Sequence, residues 1–253
     1  MKLKNLLIVA LTAISVGVGA QSLSPSTKWH WDKGTIVVET AERPAGQEHV
    51  LGLTAPKMKT VRVAFVGLGM RGPGAVKRFC HIPGVEIVAL CDYVKERAEA
   101  CQADLRTAGL KPADIYSGEK GYEELCKRND IDLVYIATDW NHHYPVAKFA
   151  MENGKHTAIE VPSAMNLEQC WSLIDLSEKT RLHCFILENC CYDEYELNTL
   201  AMAQDGVFGE IIRAEGAYIH GLEWFWDLYW KDPNDNDKDN LHWRMKYNME
   251  NRG

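Results

Sequence analysis

The eight cysteines of this 253-residue chain include no C-x-x-C pair, which excludes the common zinc ribbons and fingers. There is no basic run after Lys4, and the formal net charge is −7, so neither nucleic acid nor an anionic membrane surface is an expected partner. The stretch KDPNDNDKDN, residues 231–240, lacks the central glycine and distal glutamate of an EF-hand loop and reads as solvated. No metal site is expected. No internal repeat is visible, which removes solenoids and propellers. The apolar run from Leu6 to about Val18 is short for a membrane span and has no basic flank after it.

That run follows Lys2 and Lys4 and closes on Val18-Gly19-Ala20, small residues that suit cleavage before Gln21. Residues 1–20 therefore read as a signal peptide. The mature protein is expected to be exported, periplasmic or extracellular, and free of the membrane once the signal is removed. A membrane anchor is the rival reading, and the signal carries no twin arginine. An oxidising destination makes disulfides a live alternative. Against it, Cys91 and Cys184 lie in strand-like apolar runs and Cys101 and Cys170 on apolar helix faces, where free thiols behave as small hydrophobes. The adjacent pair Cys190 and Cys191 stays open.

Residues 21–59 scatter Ser, Pro, Gly and Thr around one β-like run, Thr35 to Val38, and read as an arm lying on the surface. The texture changes at Val61. VRVAFVG, VEIVALCD, IDLVYIAT, HTAIEV and LHCFILEN are apolar, β-branched strands alternating with helical stretches. Helices are expected from Pro73, through Val94, Ala98, Cys101 and Leu105 up to Gly109, and from Pro145 to Asn153. Another is expected behind the capping pair Asn166 and Gln169. This alternation predicts an α/β fold: a Rossmann-type doubly wound parallel sheet over residues 60–189. A helix after Glu194 and the alternating run FGEIIRAEGAYIHG, residues 208–221, predict that residues 190–253 begin an α+β substrate domain with an antiparallel strand, left incomplete where the chain stops.

Gly67, Gly69 and Gly72 fit G-x-G-x-x-G between a strand and a helix. The first suits a tight turn, the second lets the backbone approach a pyrophosphate, and the third allows close helix–strand packing. The pyrophosphate would rest on the helix N-terminus. Asp92 closes the second strand about twenty residues on, as a ribose-binding acid should. Tyr93 follows it with no arginine alongside, which favours NAD over NADP. The bland alternative is a Gly-rich turn that binds nothing. After the strand IDLVYIAT, Trp140 and His143 would wall the nicotinamide side of a cleft at the carboxyl ends of the strands; equally, His143 would cap its helix and Trp140 merely pack. Glu160, ending its strand, is a buried acid or a solvated cap, and Pro162 fixes the turn behind it, in a position that suits a cis peptide.

Gly67–Gly72, Asp92, DLVYIATDWNHH, GKHTAIEVP and LENCCYDEYEL resemble the Gfo/Idh/MocA oxidoreductase superfamily, and more narrowly its NAD-dependent glycosidase branch, glycoside hydrolase family 109. The resemblance implies NAD contacts at Met70, Arg71, Asp92, Trp140, Asn141, His142, His143, Glu160, Val161 and Asn189, and sugar contacts at Tyr218 and Arg244. Sugar dehydrogenases of the superfamily carry Glu-Lys-Pro where this chain has Glu160-Val161-Pro162, and the glycosidase branch carries Glu-Val-Pro. A Tyr-Pro-Thr-His motif that follows the arginine in the family has no counterpart before Gly253. The implied reaction is hydrolysis of an α-N-acetylgalactosaminide by transient oxidation at C3, elimination, water addition and re-reduction, leaving NAD unchanged. Such a redox-neutral cycle suits an exported protein, because no free nicotinamide need be exchanged. Glu160 and Tyr192 are the candidates for proton transfer. Trp224, Phe225, Trp226, Tyr229, Trp230 and Trp243 would stack on sugar faces or form core. The partner is a small glycoside, and a homo-oligomer is left open. The alternatives are an exported sugar oxidoreductase with net redox change, or a non-catalytic NAD- or sugar-binding remnant.

Overall fold

The computed structural model describes residues 29–38, 43, 45–217, 219, 221 and 242–251. A two-stranded antiparallel hairpin, β1 (Trp29–Asp32) and β2 (Thr35–Val38), comes first. The main body alternates β3 (Val61–Val66), α1 (Gly72–Phe79), β4 (Val85–Asp92), α2 (Lys95–Thr107), β5 (Asp114–Ser117), α3 (Gly121–Cys126), β6 (Leu133–Ile136), α4 (Trp140–Glu152), β7 (His156–Ile159), α5 (Leu167–Thr180) and β8 (Cys184–Ile186). Among the described residues two further helices follow, α6 (Glu194–Gln204) and α7 (Trp243–Glu250). Strands β3 to β8 form one six-stranded sheet in the order β5-β4-β3-β6-β7-β8, parallel throughout. Counted from its first strand this is the 3-2-1-4-5-6 order of a dinucleotide-binding fold, as the alternation predicts.

The strands read as continuous apolar runs because both faces of the sheet are covered. Val63 and Phe65 of β3 face a cluster with Val76, Ala98 and Leu105 from α1 and α2. Ala64 and Val66 point the other way, into a cluster with Leu125, Val146, Ala150 and Leu173 from α3, α4 and α5. Cys91, Cys101 and Cys126 are buried, unpaired members of these clusters. Burial pushes their thiols up, to about 12, about 11 and about 12 respectively. Cys170 departs from expectation: it sits on the exposed side of α5. Cys190 and Cys191 are exposed and unbonded.

The arm runs over the surface and is tied to α5. The Arg43 guanidinium donates to both carboxylate oxygens of Glu178, at 2.8 and 3.0 Å, and Gln47 Nε2 donates to the same group at 2.9 Å. Two local expectations are corrected. Helix α4 starts at Trp140 and not at Pro145, because Asp139 caps it by accepting from Asn141 N at 2.9 Å; the proline then falls inside the helix. Residues 208–217 form no strand, and Ile211 and Ile212 are exposed. A strand exists only within a ladder, and among the described residues no second strand lies beside this segment. Helix α6 likewise buries none of its residues.

Candidate functional site

The strand order reverses between β3 and β6, and the loops leaving these two strands part there, opening a crevice at their carboxyl ends. A cavity of about 940 Å³ fills this crevice. Its floor is the turn after β3. Gly67 has φ +93°, and a Cβ there would drive into the Ala137–Thr138 peptide after β6, so only glycine allows the two loops to meet this closely. Gly72 is buried, away from the cavity wall, where a Cβ would strike the Gly67 carbonyl. Its role is to bring α1 down onto the turn. Gly69, Met70 and Arg71 line the cavity. No side chain caps α1 and no acidic residue occupies its first turn, so its N-terminal N–H groups and dipole are left for an anion. Among the described residues, the only atom within 4 Å of a Cβ built on Gly69 is Arg97 Nη1, at 3.8 Å, so the turn's face is open to a close-lying pyrophosphate. These features fit the phosphates of a dinucleotide.

Asp92 lies at the end of β4 with its side chain almost wholly buried. Its Oδ2 accepts from Leu68 N at 2.6 Å and its Oδ1 from Val94 N at 2.9 Å, fastening the glycine turn to the start of α2. Each oxygen keeps lone-pair capacity for a ribose hydroxyl. Arg97, one turn further on, reaches Oδ1 at 3.4 Å and lines the same cavity. Sequence reasoning missed Arg97 because it tested only the residue beside Asp92; Arg97 lies in the first turn of α2, which begins three residues after Asp92 and brings it back over the carboxylate.

The opposite wall comes from the ends of β6 and β7. Trp140, His142, His143, Glu160 and Val161 all line the cavity, and Asn141, although adjacent, does not. His143 neither caps α4 nor stands free. Its Nδ1 lies 2.7 Å from Pro162 O and its Nε2 3.0 Å from Thr138 O, bracing the β6 loop against the β7 loop across the cis Val161–Pro162 bond. Glu160 Oε1 accepts from Tyr135 Oη at 2.9 Å. Burial, then the Glu160 charge, push the Tyr135 phenol up, which keeps it a donor. Tyr135 was unsingled in the sequence because it looks like one more strand residue; its hydroxyl is the only signal. His142 Nδ1 lies 2.5 Å from Asp139 Oδ2. That hydrogen bond, opposed by burial, raises His142 above its ordinary 6.5. Burial pushes Asp139 up, but His142 and the Asn141 N–H outweigh it and hold the carboxyl below its usual value.

Asn189 lines the cavity beyond β8, and Arg244 and Trp243 close it from α7. The Trp140 and Trp243 rings meet edge to face at 5.1 Å, and the Arg244 guanidinium carbon lies 5.7 Å from the Trp140 centroid. Tyr192 is not brought in: it is 69% exposed and does not line the cavity, because the loop turns outward at Cys190, whose φ is +63°. Tyr218, Trp224, Phe225, Trp226, Tyr229 and Trp230 lie outside the described residues.

Residues 61–187 match the Gfo/Idh/MocA profile, described as an oxidoreductase family with an NAD-binding Rossmann fold. The chain is 79% identical to glycosyl hydrolase family 109 protein 3 of Phocaeicola vulgatus, over all of this chain and 46% of that protein. It is 53% identical to glycosyl hydrolase family 109 protein 1 of Bacteroides thetaiotaomicron, over 99% of this chain and 51% of that one. The chain thus spans about half the length of these curated relatives. Among solved structures, myo-inositol dehydrogenase from Lactobacillus casei, in complex with NAD(H) and myo-inositol, superposes with a TM-score of 0.53 at 24% identity, over 60% of this chain and 43% of that one; this is a likeness of fold. The profile match over half of its length shows that the chain belongs to the Gfo/Idh/MocA oxidoreductase family.

Proposed function

We propose that the chain is the cofactor-binding part of an NAD-dependent glycoside hydrolase that acts through transient oxidation of the sugar, its substrates, on the resemblance alone, being α-N-acetylgalactosaminides. The observation carrying this reading is the crevice at the strand-order reversal, where the glycine turn, Asp92 and the Glu160–Pro162 turn line one cavity. Held there by the glycine turn and Asp92, NAD would supply reversible hydride transfer. The protein's part is to bind and orient. The turn from Gly67 to Arg71 and the α1 N-terminus take the pyrophosphate, Asp92 takes the ribose, and the β6 and β7 loops face the nicotinamide end.

Proton movement is assigned to wall residues that have an orienting partner. Glu160 is held by Tyr135 and His142 by Asp139. Val161 carries no ionisable group, so the lysine route of sugar dehydrogenases has no counterpart, which favours hydrolysis over net oxidation. Arg244 and the Trp140–Trp243 corner offer a cationic and aromatic surface for the sugar, with Tyr218 as a further contact. We further propose export, on the strength of the leader in residues 1–20. The test is to purify the chain without added nucleotide, denature it and assay the supernatant for NAD. Near-stoichiometric NAD, with release of p-nitrophenol from p-nitrophenyl α-N-acetylgalactosaminide by a chain of the relatives' full length, is the expected result. A chain that neither carries nor takes up NAD sinks the proposal.

A further inference from the structure

Asp92 is immobile. Two backbone N–H groups hold its two oxygens, at 2.6 and 2.9 Å, so its charge is fixed at the ribose end of the cavity. A carboxylate alone at that place would repel a 2′-phosphate strongly, since a phosphomonoester carries about −1.5 to −2 charge at neutral pH. It is not alone. Arg97 stands over it with 29% of its side chain exposed, on the cavity wall and close to Gly69. The 3.4 Å contact between them is longer than the roughly 2.7–2.9 Å of a committed charge-assisted hydrogen bond. The guanidinium has five N–H donors in a fork that suits a phosphate, and the long contact to Asp92 leaves donors to spare.

We propose that Arg97 reads the 2′ position of the adenosine ribose and gives this site real affinity for a 2′-phosphorylated dinucleotide, NADP, beside NAD. The inference rests on the reading of Asp92 as the ribose acid. Asp92 favours the unphosphorylated ribose and Arg97 offsets the repulsion, so the two residues set the preference between them. The discrimination in favour of NAD is therefore shallower than an unaccompanied aspartate would impose.

The experiment is isothermal titration of the purified chain, first stripped of any bound nucleotide, with NAD⁺ and with NADP⁺, in the wild type, Arg97→Gln, Arg97→Lys and Asp92→Asn. Wild type is expected to bind both, NAD⁺ the more tightly. Arg97→Gln should lower the ratio of NADP⁺ to NAD⁺ affinity by about 10- to 100-fold, the range for a lost charge-assisted contact. Arg97→Lys should restore part of that ratio, as a point charge without the fork. Asp92→Asn should raise the ratio, and should do so less when combined with Arg97→Gln. The proposal is overturned if wild type binds NAD⁺ but not NADP⁺ at millimolar concentration, or if Arg97→Gln weakens both ligands equally, which would place Arg97 on a part they share. Because Arg97 is a partly exposed side chain, that variant tests the idea even if Asp92→Asn fails to fold. Failure of wild type to bind NAD⁺ at all would instead overturn the cofactor reading itself.

Discussion

Replacing Gly67 and Gly69 separately by alanine should separate folding from ligand binding within one turn. At Gly67 the backbone has φ +93°, which costs an L-residue about 1–2 kcal/mol. The added methyl also lands inside the Ala137–Thr138 peptide, and parting β3 from β6 to relieve it costs about 1–3 kcal/mol, as in an overpacked core. The sum, about 2–5 kcal/mol, is a large fraction of the roughly 5–15 kcal/mol that holds a domain together. With a urea m-value of about 1–3 kcal/mol/M, the midpoint should fall by on the order of 1–2 M. At Gly69 nothing but Arg97 Nη1 comes within 4 Å, and φ is not in the left-handed region. Gly69→Ala should therefore unfold within about 0.5 kcal/mol of wild type. It should nonetheless lose tenfold or more in NAD affinity, because its methyl stands where the pyrophosphate approaches the backbone. Circular dichroism in urea and calorimetric titration with NAD⁺ read the two effects. A Gly67→Ala protein with the wild-type midpoint, or a Gly69→Ala protein with undiminished NAD affinity, would refute the account of the turn.

Tyr135→Phe should keep the ring packing against Phe65 and Phe79 but remove the hydrogen bond to Glu160, costing about 1 kcal/mol and a Tm decrease of a few degrees. An unchanged melting curve would mean the hydroxyl is as well satisfied by water. His142 should titrate above 6.5 by NMR, and Asp139→Asn should bring it back toward that value. Since its folded-state pKa is raised, the His142–Asp139 contact stabilises fully below about pH 6.5 and is lost as pH rises through the folded value. Identical titration curves in the two proteins would dismiss the dyad.

What could be read from the sequence is what periodicity and punctuation encode. The strands beginning at Val61, Val85 and His156 were legible because both-face burial writes them as apolar runs. The glycine turn was legible because a positive φ and a close approach both demand that residue. Strand β5, with the sequence DIYS, and helix α3 passed unnoticed: the strand has exposed polar residues at both ends and so no apolar run, and the six-residue helix is too short for a period to register. Pro145 misled the start of α4, since the stronger determinant was a carboxylate cap at Asp139. The segment from Phe208 alternates like a strand, but alternation describes what a ladder would accept and not whether a partner exists. In the site, Asp92, Glu160, Trp140 and His143 were found by their place at or just after strand ends, and His142 only through the family resemblance. Arg97 and Tyr135 were not, because their importance lies in contacts with Asp92 and Glu160 made through space. Tyr192 shows the converse, proximity in sequence without proximity in the fold.

The pairing of β3 with β6 has a kinetic corollary. Val63 lies opposite Leu133, so this central seam closes a chain segment of about seventy residues that includes β4, β5 and their helices. Contacts of such sequence separation form slowly, after the local units have assembled. The crevice lies at that seam, and a dinucleotide gripped by the turn after β3 and by the loops after β6 bridges chain segments far apart in sequence. Nucleotide capture in a refolding experiment would then serve as a clock for completion of the sheet. A ligand that binds only the closed form would also slow reopening of this seam before any other.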